Sequence, residues 1–168
     1  MGEDGYRGLP GALWFAFRHS DSLLFRLYAL VGAALAALIA LLFALGLIVV
    51  IDATADASAT LAFSRSFVLL VGVALLVPIL APILLVARRH RRGADDARYD
   101  RRLALAGFWF CGWLYVGLVA TVPPEHREAA GGPLGPVVAR LYELPPTVGL
   151  AVVCAAAASI YAVHRLSR

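Results

Sequence analysis

The run "LYALVGAALAALIALLFALGLIVVI", residues 27–51, determines the architecture of this chain, because it contains no charged side chain. At a rise of 1.5 Å per residue, about 20 helical residues cross a hydrocarbon core about 30 Å thick. Three further apolar runs follow, at residues 67–87, 103–122 and 147–163. They lack the alternation typical of barrel strands, so helices are the structure that satisfies their backbone groups in lipid. We predict a single domain over residues 1–168: an all-α, polytopic membrane protein with a bundle of four transmembrane helices.

The composition agrees with a membrane protein and excludes several kinds of chemistry. Hydrophobic residues make up 61% of the chain, against about 45–50% in soluble domains. All 15 basic residues are arginine, and lysine and asparagine are absent. The missing lysine excludes a Schiff base and a P-loop, and the missing asparagine excludes N-glycosylation. The two cysteines lie inside apolar runs without a metal-binding or disulfide spacing.

Arginine is distributed unevenly between the connecting segments. Twelve of the 15 arginines fall in the N-terminal segment 1–26, the connection 88–102 and the tail 164–168. Short arginine-rich segments remain in the cytoplasm. The sequence therefore predicts a multi-pass plasma-membrane protein with both termini cytoplasmic and segment 123–146 outside. Seven of these arginines lie in the connection 88–102: Arg88, Arg89, Arg91, Arg92, Arg98, Arg101 and Arg102.

We interpret the seven arginines as topology determinants that also contact anionic lipid headgroups, at about 1 kcal/mol for each arginine near the surface. A nucleic-acid interface would need aromatic or helical readout around them. Tyr99 is the only aromatic residue among them, so we expect no nucleic-acid partner. Gly93 ends the preceding helix in this interpretation, and Asp95 and Asp96 begin the third span.

Two short helices are expected at the membrane surfaces. Residues 9–19 align Leu9, Leu13 and Phe17 on one face, which is typical of a headgroup-level anchor. The outer segment contains "GPVVARLYEL", in which Arg140 and Glu143 are three residues apart on the polar side.

The sequence contains no established catalytic or cofactor-binding motif. The four runs contain no charged residue, and the sequence has no HExxH, no paired intramembrane aspartates and no GxSxG. We therefore expect a protein that is not an enzyme, with no catalytic residues, no cofactor and no metal. Two alternatives stay open: a haem held between His90 and His164, and a divalent ion held by "PEHRE" at residues 124–128.

Two patterns inside the spans concern mobility and packing. Pro78 and Pro82 of the second span each remove a helical hydrogen bond, which makes either a hinge or a static bend. A stripe of small residues in the first span lets helices approach closely, either within the bundle or in a homodimer. The stripe consists of Gly32, Ala36, Ala40 and Ala44. The fourth span offers a similar stripe at Ala151, Ala155 and Ser159.

The motifs that flank the spans resemble a small family of haloarchaeal membrane proteins of unknown function. They are "DGYRG" at 4–8, "SDSLLFR" at 20–26, "LAPILLVARRHRRG" at 80–93, "RYDR" at 98–101, "LYELPP" at 141–146 and "VHRLSR" at 163–168. The resemblance implies an archaeal membrane protein and no particular reaction. We expect an accessory, scaffold or lipid-organising subunit whose partners are membrane lipids, another membrane protein or a second copy. The alternative is a small transport component, a permease partner or an oligomeric exporter, that uses Pro78 and Pro82.

Overall fold

The computed structural model describes residues 8–55, 59–94, 96–127 and 131–167, without the side chains of residues 59–62. Within these ranges the chain forms six α-helices and no strand, which confirms the all-α architecture. The helices are α1 (Gly8–His19), α2 (Leu23–Ala53), α3 (Ala59–His90), α4 (Ala97–Ala120), α5 (Gly135–Tyr142) and α6 (Pro146–Leu166). A single 3-10 turn, Pro124–His126, follows α4.

Four of these helices, α2, α3, α4 and α6, are long and apolar enough to cross a membrane. They run alternately up and down. The start of α2, the end of α3, the start of α4 and the end of α6 therefore meet at one end of the bundle, which we call the arginine-rich end. The helices extend beyond the apolar runs. In particular, α3 continues to His90 and α4 begins at Ala97, so much of the predicted loop 88–102 is helical.

The bundle is packed most tightly toward the arginine-rich end. The buried residues of α2 all lie between Phe25 and Ala36, whereas α4 has buried residues from Tyr99 to Ala120. The most extensive helix pairs are α4 with α6 and α2 with α3, and α3 touches α6 much less. Beyond Ala36, α2 therefore leaves the core, and a gap remains between α3 and α6.

The ends of the helices follow from local sequence. The Ser22 side chain accepts a hydrogen bond from the Phe25 backbone N–H and caps α2, and Asp96 caps α4 in the same way. Asp96 thus begins α4 as predicted, whereas Asp95 lies outside the described residues. Pro145 and Pro146 open α6, where a missing N–H leaves no helical bond unmade. At the far end, Arg65 donates to the side chain and carbonyl of Thr54 and ties α3 to the end of α2.

The helix α1 is present, and Leu13 and Phe17 of the predicted apolar face are partly buried against the core of the bundle. Its two fully buried residues are Ala12 and Ala16, and the helix packs mainly against α3. Leu9, which we placed on the apolar face, is 52% exposed. Small side chains let the α1 backbone approach α3 closely, which the larger leucine could not do. The outer helix α5 forms with the expected pair, Arg140 Nη1 lying 2.9 Å from Glu143 Oε2.

The small-residue stripe of α2 packs within the bundle over half of its length. Gly32 and Ala36 are buried, and the Cα of Gly32 faces Ile83 of α3 and the ring of Tyr28. Ala40 and Ala44 are exposed, because α2 has left the core at that level. On α6 the stripe does not pack within the bundle, since Ala151 and Ala155 are exposed and Ser159 is half-buried. The buried residues of α6 are Gly149, Ala156, Ile160 and His164.

Candidate functional site

A buried carboxylate, Asp100, lies at the centre of the arginine-rich end. Its side chain is 0% exposed, and its Oδ2 atom accepts a hydrogen bond from the Ser20 hydroxyl at 2.6 Å. Nε2 of His90 lies 2.9 Å from the same oxygen. Because a buried polar group without a hydrogen bond is costly, these two contacts at Oδ2 stabilise the buried side chain. Asp100 thereby joins α4 to α3 and to the segment between α1 and α2.

The segment between α1 and α2 holds Ser20 in place through its backbone. The Ser22 N–H donates to Oγ of Ser20 at 3.2 Å, so that this hydroxyl accepts one hydrogen bond and donates another. Nε of Arg26 donates to the Ser20 carbonyl at 2.8 Å. Ser20 is therefore held by Ser22 and Arg26 as well as by Asp100.

A second pair lies beside the first and joins α4 to α6. The Tyr99 hydroxyl and Nδ1 of His164 are 2.6 Å apart. Arg89 of α3 covers the Tyr99 ring, its guanidinium carbon 4.1 Å from the ring centroid, and donates to the Ser167 carbonyl at 3.1 Å. Cation–π and hydrogen-bond contacts of this kind add to helix packing where water is excluded. We call Ser20, Arg89, His90, Tyr99, Asp100 and His164 the buried polar cluster.

The hydrogen bonds of the cluster are those of a structural contact that joins helices. Ser, His and Asp are also the residues of hydrolytic triads, but in a triad the imidazole lies between the hydroxyl and the carboxylate. Here the carboxylate lies between Ser20 and His90, and the hydroxyl donates to it. Ser20 and Asp100 are both 0% exposed, so neither is open to a substrate. The contacts join every transmembrane helix of the bundle at its arginine-rich end.

Two cavities lie next to the cluster. The first, about 330 Å³, is lined by Arg88, Arg89, Arg92 and the cluster residues Tyr99 and His164. We call it the basic pocket. The second is an apolar groove of about 870 Å³ between α3 and α6, lined on the α3 side from Val73 to Leu85. We call it the α3–α6 groove. Leu85 and His164 line both, so the two cavities adjoin.

The seven predicted arginines do not form one patch. Six are exposed, and Arg89 alone is half-buried in the cluster. Arg88, Arg89 and Arg92 surround the basic pocket, and Arg102 of α4 borders a separate groove against α6. Gly93 ends the α3 turn with a φ of +71°, a conformation that favours glycine.

Pro78 and Pro82 both lie inside α3, which stays helical through them. Pro82 is fully buried, and Pro78 lines the α3–α6 groove. Between them, the Ile79 carbonyl accepts a hydrogen bond from the Tyr28 hydroxyl of α2 at 2.7 Å. This bond and the burial of Pro82 tie the proline segment to the core.

The two histidines considered for haem each contact a side chain of α4, His90 at Asp100 and His164 at Tyr99. In the described part of the chain, no group of three His, Cys, Asp or Glu residues is placed to hold a metal ion. Glu125 and His126 of the "PEHRE" segment are exposed and 4.0 Å apart, and Glu128 lies outside the described residues.

Asp96, at the start of α4, has a pKa below its ordinary value. The Arg98 backbone N–H donates to its Oδ1 at 2.9 Å, and this bond holds the pKa of Asp96 below its ordinary value. The charge of Arg89, whose Nη2 lies 3.8 Å away, acts in the same direction. Asp96 therefore stays ionised as the cap of α4.

Sequence analysis missed the buried polar cluster, with Asp100 as its centre. Asp100 was grouped with the arginine-rich connection 88–102 and received no role of its own. A signal was available: Leu103, Ala104 and Gly107 follow Asp100 at three, four and seven residues, which places the carboxylate on the apolar stripe of α4. The partners Ser20 and His90 are 80 and 10 residues away in sequence, and no local pattern connects them.

Comparison with known proteins identifies a family and no function. A family model described as "Domain of unknown function (DUF8056)" matches residues 1–168. No curated protein and no solved structure matches the chain.

Proposed function

The chain belongs to the DUF8056 family, and from the contacts of its helices we propose that it is a non-enzymatic accessory or scaffold subunit in the membrane. One observation carries this proposal: the buried polar groups of the arginine-rich end bond one helix to another, with Asp100 and Ser20 wholly enclosed. Polar groups that are bonded to one another in this way keep the helices in fixed relative positions. A bundle that is rigid at one end is suited to a subunit that offers its remaining helix surfaces to other proteins.

The outer half of α2 is the surface best suited to a protein partner. In an apolar stretch of 18 residues of α2, only 6% of the residues are buried in the bundle, whereas 44% are buried in the corresponding stretch of α4. An exposed apolar helix face does not by itself indicate a protein partner, since lipid is as apolar as leucine. Small residues are different, because they let another helix approach closely. Ala40 and Ala44 are exposed and border a shallow groove of about 220 Å³ between α2 and α3.

The proposal is tested by purifying the full chain, with a C-terminal tag, from its native membrane in mild detergent. We expect a partner at fixed stoichiometry, and we expect Ala40→Leu with Ala44→Leu to release it by filling the groove. The matched control is Ala151→Leu with Ala155→Leu on α6, which has the same spacing and the same exposure. Both the unmodified chain and the control should keep the partner.

Three outcomes would overturn the accessory role. They are a chain purified alone, a homo-oligomer without a second protein, and a partner that both double variants release equally. The homo-oligomer would favour the self-assembled transport unit instead.

The transport alternative depends on movement at Pro78 and Pro82, and the contacts around these residues favour a static segment. Pro82 is enclosed, and Tyr28 holds the Ile79 carbonyl between the two prolines. The accessory role therefore implies that Pro78→Leu with Pro82→Leu changes stability and leaves the partner bound. A variant that reaches the membrane, keeps its partner and loses its cellular phenotype would favour transport.

We further propose the plasma membrane of a haloarchaeon as the setting, with both termini in the cytoplasm. Support comes from the arginine distribution and from the resemblance of the flanking motifs. The arginine-rich end then faces the cytoplasmic leaflet, where anionic lipids produce a negative surface potential.

A further inference from the structure

The basic pocket and the α3–α6 groove form one continuous surface with a polar head and an apolar stem. Leu85 and His164 belong to both cavities and mark the boundary between them. On the head side the lining is arginine, tyrosine and histidine, and on the stem side it is almost wholly aliphatic. A single phospholipid has the same arrangement, with charge at the membrane surface and hydrocarbon below it.

The head of this surface carries two arginines, Arg88 and Arg92, that are paired with no acid in the described part of the chain. Arg88 and Arg92 are four residues apart, both exposed, and both line the basic pocket. Over the described ranges of the chain, neither forms an ion pair, whereas Arg89 is held by Tyr99, Asp96 and Ser167. Guanidinium groups bind phosphate oxygens through paired hydrogen bonds. Arg88 and Arg92 are therefore placed to receive a phosphate.

The stem of the surface has the length and lining of an acyl-chain site. From Val73 to Leu85 the groove follows α3 for about 18 Å, at 1.5 Å per residue. Pro78, Ala81 and Ala157 are short side chains, which leave room between the two helices. Because α3 touches α6 so little, the groove stays open along its length.

We propose that the basic pocket and the α3–α6 groove together bind one anionic phospholipid. Its phosphate lies between Arg88 and Arg92, and one hydrocarbon chain of the lipid lies in the groove against α3 and α6. Charge selects an anionic lipid over a zwitterionic one, because the cationic headgroup of phosphatidylcholine would be repelled by the same arginines. This site is independent of the accessory role, since a lipid can be held with or without a protein partner.

Native mass spectrometry of the full-length protein in a non-ionic detergent tests the proposal. The protein is titrated with phosphatidylglycerol or with phosphatidylcholine carrying identical acyl chains. We expect one phosphatidylglycerol per chain, retained at least tenfold more strongly than phosphatidylcholine. Arg88→Gln with Arg92→Gln should reduce that preference tenfold or more, because the two guanidinium groups that bind the phosphate in the pocket are lost. Arg98→Gln with Arg101→Gln, equal in charge change and outside the pocket, should leave it unchanged.

The stem is tested separately by filling the groove. Val77 is 58% exposed and lines the groove, so Val77→Trp should lower phosphatidylglycerol retention without unfolding the protein. Leu70→Trp, at a residue 67% exposed and away from the groove, is the control. Inorganic phosphate distinguishes a lipid site from an anion site.

Three results would overturn the lipid site. If millimolar inorganic phosphate displaces the lipid from the wild type and Val77→Trp has no effect, the pocket binds a free anion. Equal losses in both arginine double variants would show general attraction of lipid to a cationic surface. Equal retention of the two lipids by the wild type would show that binding is not selective.

Discussion

Asp100 is a wholly buried acid in a membrane protein, and two donors on different segments make this position stable. Neither Ser20 nor His90 is close to it in sequence, so the contacts exist only when the helices are assembled. A substitution of Asp100 therefore tests the packing of the whole arginine-rich end. Removing the acceptor leaves the hydroxyl and the imidazole buried without it, which costs more than the bond itself contributes.

We expect Asp100→Asn to lower the free energy of unfolding by about 2 kcal/mol, because it disturbs two buried hydrogen bonds, those to Ser20 and His90. Thermal unfolding in detergent measures the change. Asp21→Asn is the control, since the side chain of Asp21 is exposed and the same charge is removed. Combining Asp100→Asn with Ser20→Ala should cost less than the sum of the single changes, because the two residues share one bond. Additive costs would show that the bond contributes nothing.

Asp96 gives the arginine-rich end a pH dependence of known sign. Its folded-state pKa lies below the ordinary value of 3.8, so the ionised cap stabilises the folded state above that pH. The stabilisation is lost as the pH falls below about 4, through the lower folded pKa. We expect Asp96→Ala to lower the Tm at pH 6, and the difference from wild type to shrink as the pH approaches 3. A difference that does not change with pH would contradict this account.

At the scale of the elements, glycine sets the distance between α4 and α6. Gly117 and Gly149 face each other, and a Cβ on either would lie 3.1 Å from the carbonyl oxygen of the other. A Cβ on Gly117 would also overlap the Val153 side chain. Small residues at a helix crossing allow this close approach, and the two helices form the most extensive pair in the bundle.

We expect Gly117→Ala to destabilise the bundle by about 1–3 kcal/mol, because the added methyl group forces α4 and α6 apart. Gly112 of the same helix is exposed, and a Cβ there would meet nothing within 4 Å. Gly112→Ala should therefore leave stability unchanged or raise it slightly, since alanine favours helix. Thermal unfolding of the two variants side by side decides the matter, and equal effects would show that the crossing is not tight.

For the molecule as a whole, orientation in the membrane is the property that arginine should control. A reporter fused after residue 58 should face outward, and one fused after residue 94 should face the cytoplasm, because the arginine-rich segments stay inside. Alkaline phosphatase and a fluorescent protein, active on opposite sides, give complementary readings. The reverse pattern would contradict both the orientation and the cytoplasmic position of the lipid site.

How far prediction reached depended on the kind of information each residue carries. The spans follow from hydrophobicity along the chain, and the cap at Asp96 follows from its neighbours. The stripe of Ala151 and Ala155 on α6 does not pack within the bundle, and the sequence did not show this because both faces of that helix are apolar. Asp100 received no role from the sequence because its immediate neighbours are arginines, although the stripe that it joins on α4 is apolar.

The sequence by itself determined the number of long helices, their approximate limits and the end at which arginine collects, because transfer of apolar runs into lipid depends on composition alone. Only the tertiary structure decided which faces meet. Lipid is as apolar as leucine, so hydrophobicity does not distinguish a helix face that packs from one that faces the membrane. The contacts of Ser20, His90 and Asp100, and the groove between α3 and α6, therefore arise from the assembly of the helices.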